Sequence, residues 1–195
     1  MKIVFATRNE GKKSEIRSLL APYDVEVAAL DDFPDIPDIE EDGITFEDNA
    51  RIKARTVSEL TGLPALADDS GLEVDALDGA PGVHSARFAP TTAERNSKLL
   101  DLMKDIPDDQ RHARFICSLV FIRPDGFEWK ASGVTEGIIA REPVGDEGFG
   151  YDPVFFYPPL ARTFGEIPQK VKNAISHRGK AMKLFVEAVR KGQLW

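Results

Sequence analysis

The opening stretch Lys2-Ile-Val-Phe-Ala-Thr7 is an apolar run that leads at once into Arg8-Asn9-Glu10-Gly11-Lys12 and then into Ile16, Leu19 and Leu20 at helical spacing. A short apolar run bounded by a glycine-containing turn reads as a buried strand, and the recurrence after it as an amphipathic helix. The chain therefore begins strand, loop, helix. Val25 to Leu30 repeats the strand signal, and Thr45 with Asp48 opens a helix whose apolar positions Phe46, Ala50, Ala54 and Val57 run to Thr61-Gly62. Ala65 to Ala67 and Leu72 to Val74 are expected as two brief strands flanking ADDSG, and Thr91-Thr92 caps a helix reaching about Met103. Phe115 to Ile122 (FICSLVFI) is the strongest strand signal; Pro124-Asp125-Gly126 turns it into a partner near Trp129 to Val134. Gly137 to Ala140 and Val154 to Phe156 add further strands, and a last helix starts near His177 with Ala181, Leu184, Phe185, Ala188 and Val189 as its apolar face. Alternating strands and helices followed by a hairpin section predict an α/β fold with a mixed sheet.

Composition narrows the function. The 195 residues carry 33 Asp and Glu against 25 Lys and Arg, a net charge of −8, which disfavours a broad nucleic-acid or anionic-membrane surface. With 42% hydrophobic and 30% charged residues the chain is an ordinary globular one, long enough for one compact domain or two joined lobes. A single cysteine, Cys117, excludes an intrachain disulfide, and no apolar run approaches the ~20 residues of a membrane helix. A cytoplasmic location is expected. Cys117 reads as a small buried hydrophobe, and His84 and His112 lack neighbours at metal-ligand spacing.

The charge is uneven. No Lys or Arg occurs from Ser18 to Ala50, where Asp31, Asp32, Asp35, Asp38, Glu40, Glu41 and Asp42 crowd a Pro-interrupted loop. Basic residues gather near the start, around Arg51 to Arg55, and from Lys170 to Lys183. Either these are solvated surface charges, or folding sets an acidic edge against a basic hollow suited to a metal-bound small polyanion.

Four constellations carry chemistry. Thr7-Arg8-Asn9-Glu10-Gly11-Lys12 sits at a strand-to-helix junction, where backbone amides and the helix dipole favour phosphate; an ordinary capped helix start is the rival, and Walker A and dinucleotide spacings are absent. Asp68-Asp69-Ser70-Gly71 places two carboxylates where they would project at a strand end, as hard-metal ligands, a general base or a plain surface turn, with Glu40 and Glu41 as partners. Gly148-Phe149-Gly150-Tyr151-Asp152-Pro153 offers close backbone approach and rings that stack on a flat base, or merely an aromatic turn. Lys172 to Arg178 (KNAISHR) gathers three cations at a helix start that is otherwise an ordinary solvated one.

Taken together, these residues resemble the inosine triphosphate pyrophosphatase family. The resemblance rests on T-x-N-x-x-K, E-x-N-A-x-x-K-A (Glu47 to Ala54), ADDSGL, GAPG with SAR (Gly79 to Gly82, Ser85 to Arg87), GFGYDPVF and AISHRGKA, in family order over nearly the whole chain. It implies an elongated mixed β-sheet with helices forming two lobes around a central nucleotide-binding cleft, a single domain over residues 1–195, and usually a homodimer. It implies Thr7, Asn9, Lys12 and Lys53 as triphosphate contacts, with Arg8, Glu10 and Gly11 in the same loop, and Glu40 with Asp69 as the Mg²⁺ site. Asp69 is also the implied general base. Ser70 is placed beside the phosphates, Phe149 on the purine, and Gly150, Tyr151, Asp152, Lys172, His177 and Arg178 around base and phosphates. Arg8 and Glu147 depart from the small residue and the glycine common at those positions; Arg8 adds a phosphate contact or points to solvent.

The expected substrates are ITP, dITP and XTP. A triphosphate brings about four negative charges, which Mg²⁺ and several cations must offset before a nucleophile reaches the α-phosphorus. Arg178 and a backbone amide would donate to the 6-oxo group of hypoxanthine or xanthine, which adenine lacks. A Maf-like pyrophosphatase for modified pyrimidines and a non-catalytic nucleotide-binding regulator are the rival readings; SHR after FGYD disfavours the first, and the two metal carboxylates the second.

Overall fold

The parallel strands at the start of the chain are built from apolar runs buried on both faces. In the computed structural model, which describes residues 2–23 and 25–194, β1 (Lys2–Phe5) pairs in parallel with β2 (Glu26–Ala29) and β3 (Ala65–Val74). The register aligns Ile3 with Val27, and Val4 with Ala65. Strands β4 (His112–Ile122), β5 (Glu128–Ile139), β6 (Phe155–Tyr157) and β7 (Arg162–Thr163) complete a seven-stranded sheet in the order β2-β1-β3-β4-β5-β6-β7. The β5–β6 and β6–β7 pairs are antiparallel, so the sheet is mixed. The helices are α1 (Glu10–Leu20), α2 (Phe46–Thr61), α3 (Thr92–Leu102), α4 (Gln169–Ile175) and α5 (His177–Arg190).

The chain divides into two compact units. The first holds the chain up to Asp69, Cys117–Gly133 and the chain from Arg178 onward. Here the period of two along each strand sorts side chains onto opposite faces. Ile3, Phe5, Leu66, Leu119 and Phe121 pack with Ile16 and Leu20 of α1 and with Ala181, Met182 and Phe185 of α5. The alternate residues Val4, Ala6, Ala65, Ala67, Val120 and Ile122 pack with Ala50, Ala54 and Val57 of α2, whose small side chains let the helix lie close. Thr45 caps α2 through Asp48 N–H, and Gly62 ends it at φ +67°, the left-handed conformation that suits glycine.

The second unit holds Ser70–Ile116 and Val134–His177. Its core centres on Phe115, Phe155 and Phe164, with ring centroids 4.5 Å apart for Phe115–Phe155 and 5.0 Å for Phe155–Phe164. The buried Arg111 guanidinium donates to the carbonyls of Met103, Ile139 and Ala140.

Three local expectations change. ADDSG is not a turn between two strands: β3 runs unbroken from Ala65 to Val74, so both carboxylates lie in mid-strand. The strand continues because both side chains find cations inside the fold. Likewise Trp129 to Val134 and Gly137 to Ile139 belong to one strand, β5, and Ala140 lies just past its end. Gly137 does not break it; a Cβ there would lie 2.5 Å from the Phe155 ring, so glycine serves the close approach of β6. Lys172 to Ile175 do not open the last helix: they close a separate short helix, α4, which carries no apolar period strong enough to announce it. The acidic, Pro-interrupted segment after the 3-10 turn at Leu30–Asp32 holds no helix or strand up to Thr45, as its composition predicts.

Candidate active site

Within the first unit the strand-to-helix junction forms as a capped start. Asn9 Oδ1 accepts the Lys12 N–H at 3.1 Å, and the Asn9 N–H donates to Thr7 Oγ1 at 3.3 Å. Glu10 and Gly11 occupy the first turn of α1, with Glu10 paired to Lys13. The Lys12 ammonium reaches Asp68 Oδ2 at 3.1 Å. Arg8 turns to the acidic segment: it donates to the Ile36 carbonyl at 2.7 Å and lies 3.6 Å from Asp31 and 3.3 Å from Asp38. Lys13 ties the same segment through Asp31.

Asp69 is buried and held from α2. Asn49 Nδ2 donates to Asp69 Oδ2 at 3.1 Å, and Lys53 Nζ stands 3.6 Å from Asp69 Oδ1 and 3.2 Å from Glu41 Oε1. Asn49 and Lys53 are one helical turn apart, so a single face of α2 presents both. Burial pushes the Asp69 carboxyl above the usual carboxylate range; Lys53 and Lys12 pull it down, Glu41 pushes it up, and the Asn49 hydrogen bond pulls it down. Glu40, the neighbour of Glu41, is exposed.

Asp68, on the adjacent position of β3, is fully buried and joins a charge cluster. Arg178 Nε donates to Asp68 Oδ2 at 3.1 Å, and its Nη1 donates to Glu15 of α1. Burial alone would lower the Arg178 pKa, but the carboxylates of Asp68 and Glu15 outweigh it and hold the guanidinium charged. The first unit thus interleaves its charges: Arg8, Lys12, Lys13, Lys53 and Arg178 each lie within ion-pair reach of a carboxylate. Arg178 is 2% exposed, so its helix start is not a solvated one.

The second unit assembles a separate group. Asp152 Oδ2 accepts Lys172 Nζ at 2.6 Å and the Phe149 N–H at 2.7 Å, and the same ammonium lies 4.8 Å from the Phe149 ring centroid. The turn needs Gly148, at φ +75°, because a Cβ there would stand 2.1 Å from Asp152 Oδ2. Gly150 O accepts from Asn96 at 3.2 Å, and Tyr151 Oη donates to Ser85 O at 2.9 Å. Burial pushes the Tyr151 phenol up to about 12, so it remains a donor. His177 stacks on Phe115 with centroids 4.7 Å apart. Ser70, half-buried, follows Asp69 along β3.

Sequence reasoning left Glu15, Asn49, Ser85 and Asn96 without roles. Asn49 and Ser85 lie inside the E-x-N-A-x-x-K-A and SAR motifs, the sequence signal that points to them. Ser85 Oγ accepts the Leu72 N–H at 2.9 Å and donates to Gly82 O at 2.6 Å, so the SAR segment holds the end of β3 as well as Tyr151.

A family model described as the Ham1 family matches residues 3–188. A "dITP/XTP pyrophosphatase" of Desulforamulus reducens is 50% identical over 194 residues, 98% of this chain and 96% of that protein. The "dITP/XTP pyrophosphatase" of Escherichia coli K12 is 48% identical, covering 98% and 99%. Among solved structures, a HAM1 protein from Coxiella burnetii superposes with a TM-score of 0.90 at 43% identity, covering 98% of this chain and 99% of the other.

Proposed function

This chain belongs to the Ham1 family, and on that premise we propose that it is a nucleoside triphosphate pyrophosphatase acting on noncanonical purine nucleotides such as dITP, XTP and ITP. The observation that supports the reading most is Asp69: a buried carboxyl of raised basicity flanked by Lys53, Lys12 and Glu41. Such a group is suited to accept a proton from water as the water oxygen bonds to the α-phosphorus. The bond from that phosphorus to the α,β-bridging oxygen breaks, and the products are the nucleoside monophosphate and pyrophosphate. Lys12 and Lys53 would exchange their carboxylate partners for phosphate oxygens. Thr7, Asn9 and the first amides of α1, at Glu10 and Gly11, would complete that cradle.

A divalent metal belongs to this reading, and Mg²⁺ fits it. Magnesium is bound through one or two carboxylates plus substrate phosphates. Asp69 and the acidic segment at Glu40 and Glu41 offer oxygen donors of that kind, the Glu41 charge being felt at Asp69. When bound, the metal would neutralise phosphate charge and acidify water. Phe149 would stack on the purine, with Ser70, Gly150, Tyr151, Asp152, Lys172 and His177 shaping its surroundings. Arg178, aimed by Asp68 and Glu15, would donate to the 6-oxo group. A homodimer and a cytoplasmic location complete the proposal; among the described residues no helix is long and apolar enough to cross a membrane.

The test is pyrophosphate release from dITP, XTP, ITP, GTP and ATP at fixed Mg²⁺. Preference for the first three is expected; equal turnover of ATP overturns the specificity, and no turnover of any overturns the activity.

A further inference from the structure

The acidic segment has no regular structure, yet its far end is fastened at one buried point. Asn49 is 0% exposed, and both ends of its side-chain amide are engaged. Oδ1 accepts the Gly43 N–H at 2.8 Å, and Nδ2 donates to Asp69 Oδ2 at 3.1 Å. A backbone N–H only donates and a carboxylate only accepts, so the two partners fix which way the amide faces. Gly43 fits this contact closely. A Cβ there would lie 2.7 Å from Asn49 Oδ1, 2.7 Å from Asp48 Cβ and 2.9 Å from the Asn49 nitrogen. Asn49 is itself anchored in the first turn of α2, its N–H donating to Thr45 O at 3.2 Å. Glu40 and Glu41 stand just before Gly43.

We propose that Asn49 is a positioning residue that ties the acidic segment to the Asp69 carboxylate, and so sets the spacing between the segment's glutamates and Asp69 at which a divalent cation is held. The inference rests on the functional reading above for its purpose, but its geometry is tested without turnover. Lys53 holds the same segment through Glu41 with an ammonium whose three donors rotate about a flexible stem; the planar Asn49 amide, with a donor end and an acceptor end, adds a fixed direction.

The experiment compares wild-type protein with Asn49→Ala and Gly43→Ala by hydrogen exchange of the residue 40–43 amides in metal-free protein. Mn²⁺ binding without nucleotide and the Mg²⁺ dependence of dITP hydrolysis complete the comparison. Each variant is expected to speed exchange at residues 40–43 about tenfold and to weaken Mn²⁺ binding about tenfold, as loss of a hydrogen bond to a charged group implies. Turnover lost at low Mg²⁺ should return in part at high Mg²⁺. If Asn49→Ala fails to fold by far-UV circular dichroism, Gly43→Ala decides, since it keeps the Asn49 side chain that reaches Asp69 and crowds its contact with residue 43. Mn²⁺ affinity within about twofold of wild type in the folded variants overturns the proposal, as does unchanged exchange at Gly43 or a wild-type protein that binds no Mn²⁺. A wild-type protein that shows the expected exchange and Mn²⁺ behaviour but hydrolyses no triphosphate leaves the coupling standing and defeats the functional reading.

Discussion

The two units treat their key aspartates in opposite ways. In the first, Asp69 faces Lys53 at 3.6 Å and a neutral amide at 3.1 Å, and burial leaves its carboxyl more basic than usual. In the second, Asp152 is clamped by Lys172 at 2.6 Å and by the Phe149 N–H at 2.7 Å, all on one oxygen. A loosely compensated carboxylate is a costly arrangement for stability and a useful one for proton transfer; a tightly compensated one builds a turn. Under the proposed function, the contrast would put proton transfer in the first unit and the shaping of a stacking surface in the second.

The sharpest way to break that contrast is Asp69→Asn. Turnover is expected to fall at least ~100-fold in the pyrophosphate assay, the scale of a lost general base. The same variant should melt at a higher temperature at neutral pH. The folded-state pKa lies above the unfolded value, so between the two the native state binds the extra proton, and stability falls as pH rises through that window. Asparagine carries no such slope. A lower melting temperature at neutral pH would mean that Lys53 and Asn49 compensate Asp69 as fully as Lys172 compensates Asp152.

Asp152→Ala should behave in the reverse sense. Removing one partner of a buried ion pair costs about 3–5 kcal/mol, read from urea unfolding, and leaves the Phe149 N–H without its acceptor. Its kinetic effect is expected chiefly in KM, because the variant disturbs the turn that carries Phe149. A loss confined to kcat would move Asp152 into the chemistry. Phe149→Ala, a smaller change, removes a stacking face worth about 1–3 kcal/mol per base, so KM for dITP should rise with stability little altered. An unchanged KM would remove Phe149 from the base site.

Much of this was legible in the sequence because the elements are locally specified. Thr45 and Asp48 announce α2, and the apolar run at β4 announces a central strand. The Asp68-Asp69-Ser70-Gly71 stretch misled because Asp, Ser and Gly are turn formers wherever nothing distant compensates them. Its compensation comes from Lys12, Lys53 and Arg178, up to 110 residues away, and no local pattern encodes that. Asn49 was hidden for a related reason: a polar residue on a helix reads as solvent-facing until its partners at Gly43 and Asp69 are known. Arg8 illustrates the remaining ambiguity, since a cation beside a phosphate-binding loop has the same sequence signature whether it faces the ligand or the protein.

Arg8→Ala is the mildest test of the comparison. Its contacts with Asp31 and Asp38 are between groups 42% to 96% exposed, and exposed ion pairs contribute about 0.2–1 kcal/mol each. The bond to the Ile36 carbonyl adds a main-chain tether. If Arg8 serves the acidic segment, the substitution should change KM for dITP by less than about threefold at saturating Mg²⁺ and should lower stability by about 1 kcal/mol. Direct phosphate contact predicts the opposite pattern. KM would then rise about tenfold or more while stability stayed level, because a charge-assisted bond to phosphate exists only in the complex. Steady-state kinetics and a urea titration on the one variant therefore separate a residue that holds the protein to itself from one that holds the substrate.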